Sequence, residues 1–300
     1  MTMGSGTVKN RIWCYWEPRR NIHDYLRLCL ETWSKLGYEV VIIDDSNLSD
    51  YLLGRDLRLL RKHKDLYSLP QYADAIRVMI LHKYGGIWMD LDVIIVNPEN
   101  FNKIAELKST TELLMIDEHI GWIWASKNST IMKKWYRELV KKINFEKYKV
   151  NRDGFVRKIW RYVKKIKYQI FNEQDKMQGL AAYMNKPQIG WDYLGNSIVN
   201  SFIQNAKSNE YASLTNLWPY ESFVPESKNW GKSFDKPKIY QDFWFTPITR
   251  TEKNKIINNS TIIYLHNSWT PEKYKAMNRS TFLSCDIALS EVLRVLVDDN

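Results

Sequence analysis

The sequence predicts an α/β fold with a central, mostly parallel sheet in a single domain. Three observations carry that expectation. A strand, a helix and a second strand follow one another within the first 45 residues, the order of a βαβ unit. Residues 38–43 form a continuous run rich in β-branched side chains, as a strand buried on both faces requires. Over 300 residues, 44% hydrophobic and 26% charged side chains exclude bulk disorder and suffice for one large core.

The elements follow in order. Residues 12–16 are aromatic-rich and end at Glu17-Pro18, which marks a first strand. Over 25–36, Leu26, Cys29, Leu30, Trp33 and Leu36 recur at helical spacing, and Gly37 ends the helix. The strand 38–43 closes at Asp44-Asp45, two acids at a carboxyl end where α/β sites form or helices are capped. Ser68 and Gln71 make a capping box with Pro70 in the first turn. Ala73, Ile76 and Ile80 then line one helix face, and Gly85-Gly86 closes it. Residues 87–96 read as one strand ended by Asn97-Pro98. Residues 113–116 and 121–125 read as short strands, and 262–265 as a late strand that delivers His266 to a loop. Residues 1–7 are small and polar, lack an apolar signal core, and fall outside the expected domain of 8–300.

The charge is local. Of a net +10, residues 131–170 hold +11, from 14 Lys and Arg against three acids, which leaves −1 elsewhere. An evenly basic coat for nucleic acid is therefore not expected. At 100° per residue, 155–170 is a basic amphipathic helix. It reads either as a core-packed helix with a solvated outer face or as a surface for anionic lipid headgroups, worth ~1 kcal/mol per Lys or Arg. Cys14, Cys29 and Cys285 fit neither a disulfide framework nor a zinc site. No apolar run approaches the ~18 residues of a membrane span. The expected location is the cytoplasm, peripheral to the inner face of the plasma membrane.

The densest chemistry is Gly85-Gly86-Ile87-Trp88-Met89-Asp90-Leu91-Asp92. Residues two apart on a strand share a face, so Asp90 and Asp92 are expected to point together, Cα atoms ~6.6 Å apart. That is too far for symmetric chelation. One carboxylate would ligate Mg²⁺ or Mn²⁺, and the other would act through water or a sugar hydroxyl. Alone, the pair also describes two acids at a solvated strand end. On the preceding helix Asp74 and Arg77 are i, i+3 and share a face; as a surface ion pair they are worth only ~0.2–0.5 kcal/mol.

The composite Tyr72-Ala73-Asp74-(x)2-Arg77-(x)7-Gly85-Gly86-(x)3-Asp90-x-Asp92 resembles the DXD-containing glycosyltransferase family 32, which includes capsular polysaccharide transferases and distant kin of the large clostridial glucosylating toxins. The resemblance implies a GT-A fold, with 8–130 as the nucleotide-sugar-binding half, 131–175 as a basic helical insertion and 176–300 as the acceptor side with a closing loop. It implies metal-dependent, retaining transfer of a hexose from a UDP-sugar to a hydroxyl of a growing capsular polysaccharide or lipid-linked glycan. Trp16 would stack on the base, although Glu17-Pro18 replaces the family's Gly-Gly. Asp74 would hold sugar hydroxyls, and Arg77 sugar or diphosphate. Asp92 would bind the metal with Asp90 in support, and His266 would complete the ligands, tilting the choice to Mn²⁺. Ser268 would touch phosphate or metal, and Trp269 would cover the donor. Asp192 and Asp117 are the acceptor-side candidates, each also readable as a turn acid. Two rivals start from the same residues: a phosphohydrolase with Asp90 as nucleophile, and a carbohydrate- or nucleic-acid-binding module suggested by 13 Trp and 18 Tyr.

Overall fold

Strand β1 (Arg11–Tyr15) has parallel neighbours on both sides. In the computed structural model, which describes residues 11–108, 110–144, 193–232 and 235–298, it pairs with β2 (Glu39–Ile43) and with β3 (Gly86–Met89). Beyond β3 lie β6 (His119–Ala125) and β5 (Leu113–Ile116), each antiparallel to its predecessor, and then β7 (Tyr211–Ser213), parallel to β5. The order is β2-β1-β3-β6-β5-β7, an α/β fold with a mostly parallel central sheet, as expected.

Strand alternation divides the interior into two cores. Ile12, Cys14, Ile87 and Met89 face α1 (Asp24–Trp33), while Trp13, Tyr15 and Trp88 face α3 (Leu69–Tyr84). The second core is completed by Leu60 of α2 (Gly54–His63) and by Ile131, Trp135 and Leu139 of the helix over 130–144, α5. Between them in sequence, α4 (Pro98–Leu107) adds Phe101 and Ile104 to the first core. That core also takes side chains from α7 (Lys236–Trp244) and α9 (Ala288–Asp298), while α6 (Asn196–Ile203) joins the second and α8 (Arg250–Asn259) lends Ile256 to the first.

Local signals proved accurate for α3. The capping box is formed, and Gly85 ends the helix at φ +67°, a conformation L side chains rarely adopt. A Cβ there would lie 2.6 Å from the Lys127 backbone nitrogen. What periodicity understated is burial. From Gln71 to Leu81 nearly every side chain is buried, because the sheet covers one flank and α2 and α5 the other.

One expectation needs correcting. Residues 87–96 are not one strand. The ladder ends as Asp90 N donates to Gly121 O at 2.7 Å, and Val93 N closes a turn on Asp90 O at 3.1 Å. β4 (Val93–Ile95) then leaves the main sheet and pairs antiparallel with β8 (Ile262–Tyr264) in a separate ribbon. The physical cause is pairing: β4 finds its ladder partner in β8, far away in the sequence, so the chain leaves the main sheet after Met89. Asp90 opens the turn and Asp92 lies within it, so the two do not share a strand face.

Of the basic segment, 131–144 is a core-packed helix with Lys133, Lys134, Arg137 and Lys141 exposed; the amphipathic stretch 155–170 and Asp192 lie outside the described residues. Among the described residues no helix is long and apolar enough to cross a membrane. All three cysteines are free.

Candidate active site

The site is assembled around Arg77. It projects from α3 with Asp74 one turn earlier, and both are buried, at 3% and 6% exposure; a surface ion pair is thereby excluded. One guanidinium nitrogen donates to Asp74 Oδ1 and the other, at 2.7 Å, to Asp90 Oδ1. The fork suits two carboxylates. Burial works against the positive charge, but Asp90 and Asp74 outweigh it and hold Arg77 ionised. Trp88 contributes twice: its Nε1 donates to Asp90 Oδ1 at 2.8 Å, and the guanidinium carbon lies 5.1 Å from its ring centre. Tyr264 of β8 donates to Asp90 Oδ2 at 3.2 Å. Three donors on Asp90 spread its charge and make it a poor nucleophile, which tells against the aspartyl-phosphate rival.

Asp92 has a different environment. Its Oδ2 accepts from the backbone N–H of Asn267 at 2.9 Å, and its own carbonyl accepts from Leu265 N. Burial first, and Asp90 second, push its carboxyl up to about 7, against the pull of the Asn267 amide and Arg77. Arg77 is already committed to Asp74 and Asp90, so its charge only partly offsets that push. In donor chemistry a hard oxygen of this kind fits a divalent ion completed by phosphate oxygens. The protein does not offer three ligands together: among the described residues, no three His, Cys, Asp or Glu side chains converge on a metal-sized site.

His266 shows why. Its ring lies in an aromatic box, with centroids 4.0 Å from Trp269, 5.4 Å from Tyr240, 5.9 Å from Tyr264 and 6.4 Å from Trp230. Burial lowers its pKa to about 3, so the ring is neutral. Its Nε2 has no hydrogen-bond partner and lies 3.9 Å from Glu226 Oε1, which also has none. What the loop gives Asp92 is the Asn267 amide, held further by Tyr25, whose hydroxyl donates to Asn267 Oδ1.

Residues 4–217 match a family model described as capsular polysaccharide synthesis protein. That match spans more than half of the chain. The chain belongs to the capsular polysaccharide synthesis protein family. A solved structure, the PaToxG glycosyltransferase, is similar at 15% identity with a TM-score of 0.32, covering 64% of this chain and 87% of that one. No curated protein matches the chain.

In this capsular polysaccharide synthesis protein, Tyr264, Glu226 and His266 lie beyond the matched residues yet complete the site. Trp16 stands half-buried at the carboxyl end of β1, its backbone N–H donating to Ile43 O and its ring edge-on to His23. Ser268 is exposed. Trp269 packs on His266 and Tyr240, its carbonyl held by Gln241 Nε2. Asp117 occupies an exposed hairpin at φ +51°, tied to Ser213 and Tyr211, two residues before His119, whose ring is tilted against Tyr264 at 5.4 Å. Asp44 caps a turn, accepting from Ser46 N and Asn47 N. Gly195 lies against Asp74: an added Cβ would meet Asp74 Oδ2 at 2.6 Å.

Four contributors escaped the reading of the sequence. Trp88 was legible, being two residues before Asp90. Gly121 was as well, since a glycine inside a strand marks a close approach. A Cβ on it would fall 1.3 Å from the Tyr264 hydroxyl oxygen, so Gly121→Ala is expected to drive Tyr264 off Asp90 and cost ~1–3 kcal/mol. A thermal midpoint recovered in Gly121→Ala with Tyr264→Ala checks it. Tyr264 and Glu226 gave no local signal.

Glu226 yields a pH prediction. It is fully buried, its Oε2 accepts from Trp244 Nε1 at 3.1 Å, and burial raises its pKa from 4.5 to about 7. The folded state thus holds this proton more tightly than the unfolded state. The stability it contributes is complete below about pH 4.5 and is lost as pH rises through about 7, a loss of about 3 kcal/mol by pH 8. Glu226→Gln keeps the acceptor for Trp244 and removes the ionisation. Its melting temperature should match the parent near pH 5 and exceed it at pH 8; equal curves at both would refute the assignment.

Proposed function

We propose that this capsular polysaccharide synthesis protein is a metal-dependent, retaining glycosyltransferase that moves a hexose, of galactose or glucose type, from a UDP-sugar to a hydroxyl of a growing capsular glycan. The observation that carries the reading is the bridge from buried Asp74 and Arg77 to half-buried Asp90, set beside a carboxylate, Asp92, whose pKa burial and Asp90 push up. Asp74 and Arg77 hold the donor sugar, fixed because α3 is buried around them. Asp90 is restrained by Arg77, Trp88 and Tyr264, so it orients and does not attack. Trp16 offers its indole to the base, a contact worth ~1–3 kcal/mol. Asp92 is the direct ligand for Mn²⁺ or Mg²⁺, which when bound supplies charge neutralisation for the departing diphosphate. Ser268 reaches the phosphates from the exposed rim, and His266 braces the loop that carries Asn267. No side chain at the site is placed as a covalent nucleophile, which favours attack on the face the leaving group vacates. A lipid-linked acceptor, with the basic segment 131–170 on an anionic membrane face and Asp117 and Asp192 towards the acceptor, completes the proposal.

The test is a panel of UDP-sugars scored for slow donor hydrolysis with Mn²⁺. One donor should be hydrolysed, and EDTA should stop it. In parallel, UDP with Mn²⁺ at 100 times its dissociation constant should stabilise the fold by ~2.7 kcal/mol. No hydrolysis across the panel, together with no thermal shift, would sink the reading.

A further inference from the structure

The β4–β8 ribbon runs from the site towards a cleft. Val93 pairs with Tyr264 at the site end and Ile95 with Ile262 at the other, where Thr261 O accepts from Val96 N and Asn97 N. Past that end opens a cleft of about 990 Å³, with Asn100 and Ser260 in its wall. Ser260 is four residues before Tyr264, about 13 Å along an extended chain. A second segment joins the cleft to the site. Within Pro225–Lys232, Pro225 and Lys228 line the cleft, while Glu226 turns inward to Trp244 and His266.

The lining has a definite chemistry. Trp218 and Phe243, both half-buried, put aromatic rings in its wall, with Lys228 Nζ 5.3 Å from the Phe243 ring centre. Exposed Glu221, Asp242, Asn229 and Asn258 surround them with carboxylates and amides. Three acids against two lysines leave the cleft close to neutral, so a nucleic acid or other polyanion would gain little from it. An acyl chain offers no hydrogen-bonding group to those carboxylates and amides. A sugar suits both parts: its C–H faces pack on aromatic rings, and its hydroxyls bond to carboxylates and amides placed to fix orientation.

We propose that this cleft is a distal subsite for the glycan acceptor, which holds an uncharged oligosaccharide several sugars away from the reacting end. The inference rests on the reading that a capsular glycan is the acceptor. Its distance from Asp90 and Asp92 means that a monosaccharide cannot occupy both places, so the subsite favours longer acceptors.

Binding can be read without turnover. The whole chain is presented to immobilised neutral gluco-, galacto-, manno- and N-acetylhexosamine oligosaccharides, from disaccharides to hexasaccharides, with myristate vesicles as the apolar control. The expected result is retention of at least one series, rising with length, and weaker by about tenfold in Trp218→Ala with Phe243→Ala. Because two half-buried rings are lost there, Asp242→Ala with Asn229→Ala, both exposed, provides a second variant, expected to weaken the same series while donor hydrolysis stays at the parent rate. Retention of none of the sugars, retention unchanged in both variants, or capture by the vesicles alone would overturn the subsite. Failure of donor hydrolysis alongside normal sugar binding would instead count against the transferase reading.

Discussion

Arg77→Ala is expected to lower the unfolding free energy by about 3–5 kcal/mol, the cost of breaking a buried ion pair by removing one partner. The reason is what remains. Asp74 and Asp90 would face each other in a region where Arg77 itself is 3% exposed, with only Trp88 and Tyr264 to share the Asp90 charge. Asp74 cannot be hydrated cheaply, because Gly195, Ile120 and the α3 core close around it. Arg77→Lys keeps a charge but not the two-pronged geometry, so it should fall between the variant and the parent. Urea midpoints measure all three. If the alanine variant unfolds at the parent's midpoint, the bridge is not holding the site together.

Asp92→Asn is expected to abolish sugar transfer and donor hydrolysis, yet to stabilise the metal-free protein at neutral pH. The two effects have one cause. Burial and Asp90 both penalise ionised Asp92, so a neutral isostere removes repulsion while keeping an acceptor for Asn267 N. Asp90→Asn should behave differently, since it surrenders the partner of Arg77, and it should lose stability. Thermal melts at pH 8 in EDTA, beside hydrolysis rates with Mn²⁺, separate them. A destabilised Asp92→Asn protein would mean that Asp92 is compensated by a group other than those named above.

Much of the framework was legible because it is written locally. The Ser68–Gln71 box, Pro70 and Gly85 delimit α3 without reference to the rest of the chain. The runs that became β1, β2, β5 and β8 are short apolar segments bounded by turn residues. The composite from Asp74 to Asp92 located the chemistry, since a helix joined to a strand by two glycines returns its own side chains to one place. Reading 87–96 as one strand failed for a non-local reason. Periodicity reports which residues are apolar, but the partner that β4 chose, β8, lies about 170 positions away in the sequence.

The sequence by itself determined the α/β class, the helix carrying Asp74 and Arg77, and the two acids after the paired glycines. It also placed +11 of charge in 131–170, which leaves −1 in the rest of the chain. Tertiary structure decided what those residues are to one another. It buried Arg77 between two acids, hung Tyr264 over Gly121 to reach Asp90, and closed His266 into an aromatic box facing Glu226. The division follows from range: caps, turns and periodicity act over a few residues, whereas desolvation and charge pairing depend on whatever the folded chain brings within a few ångströms.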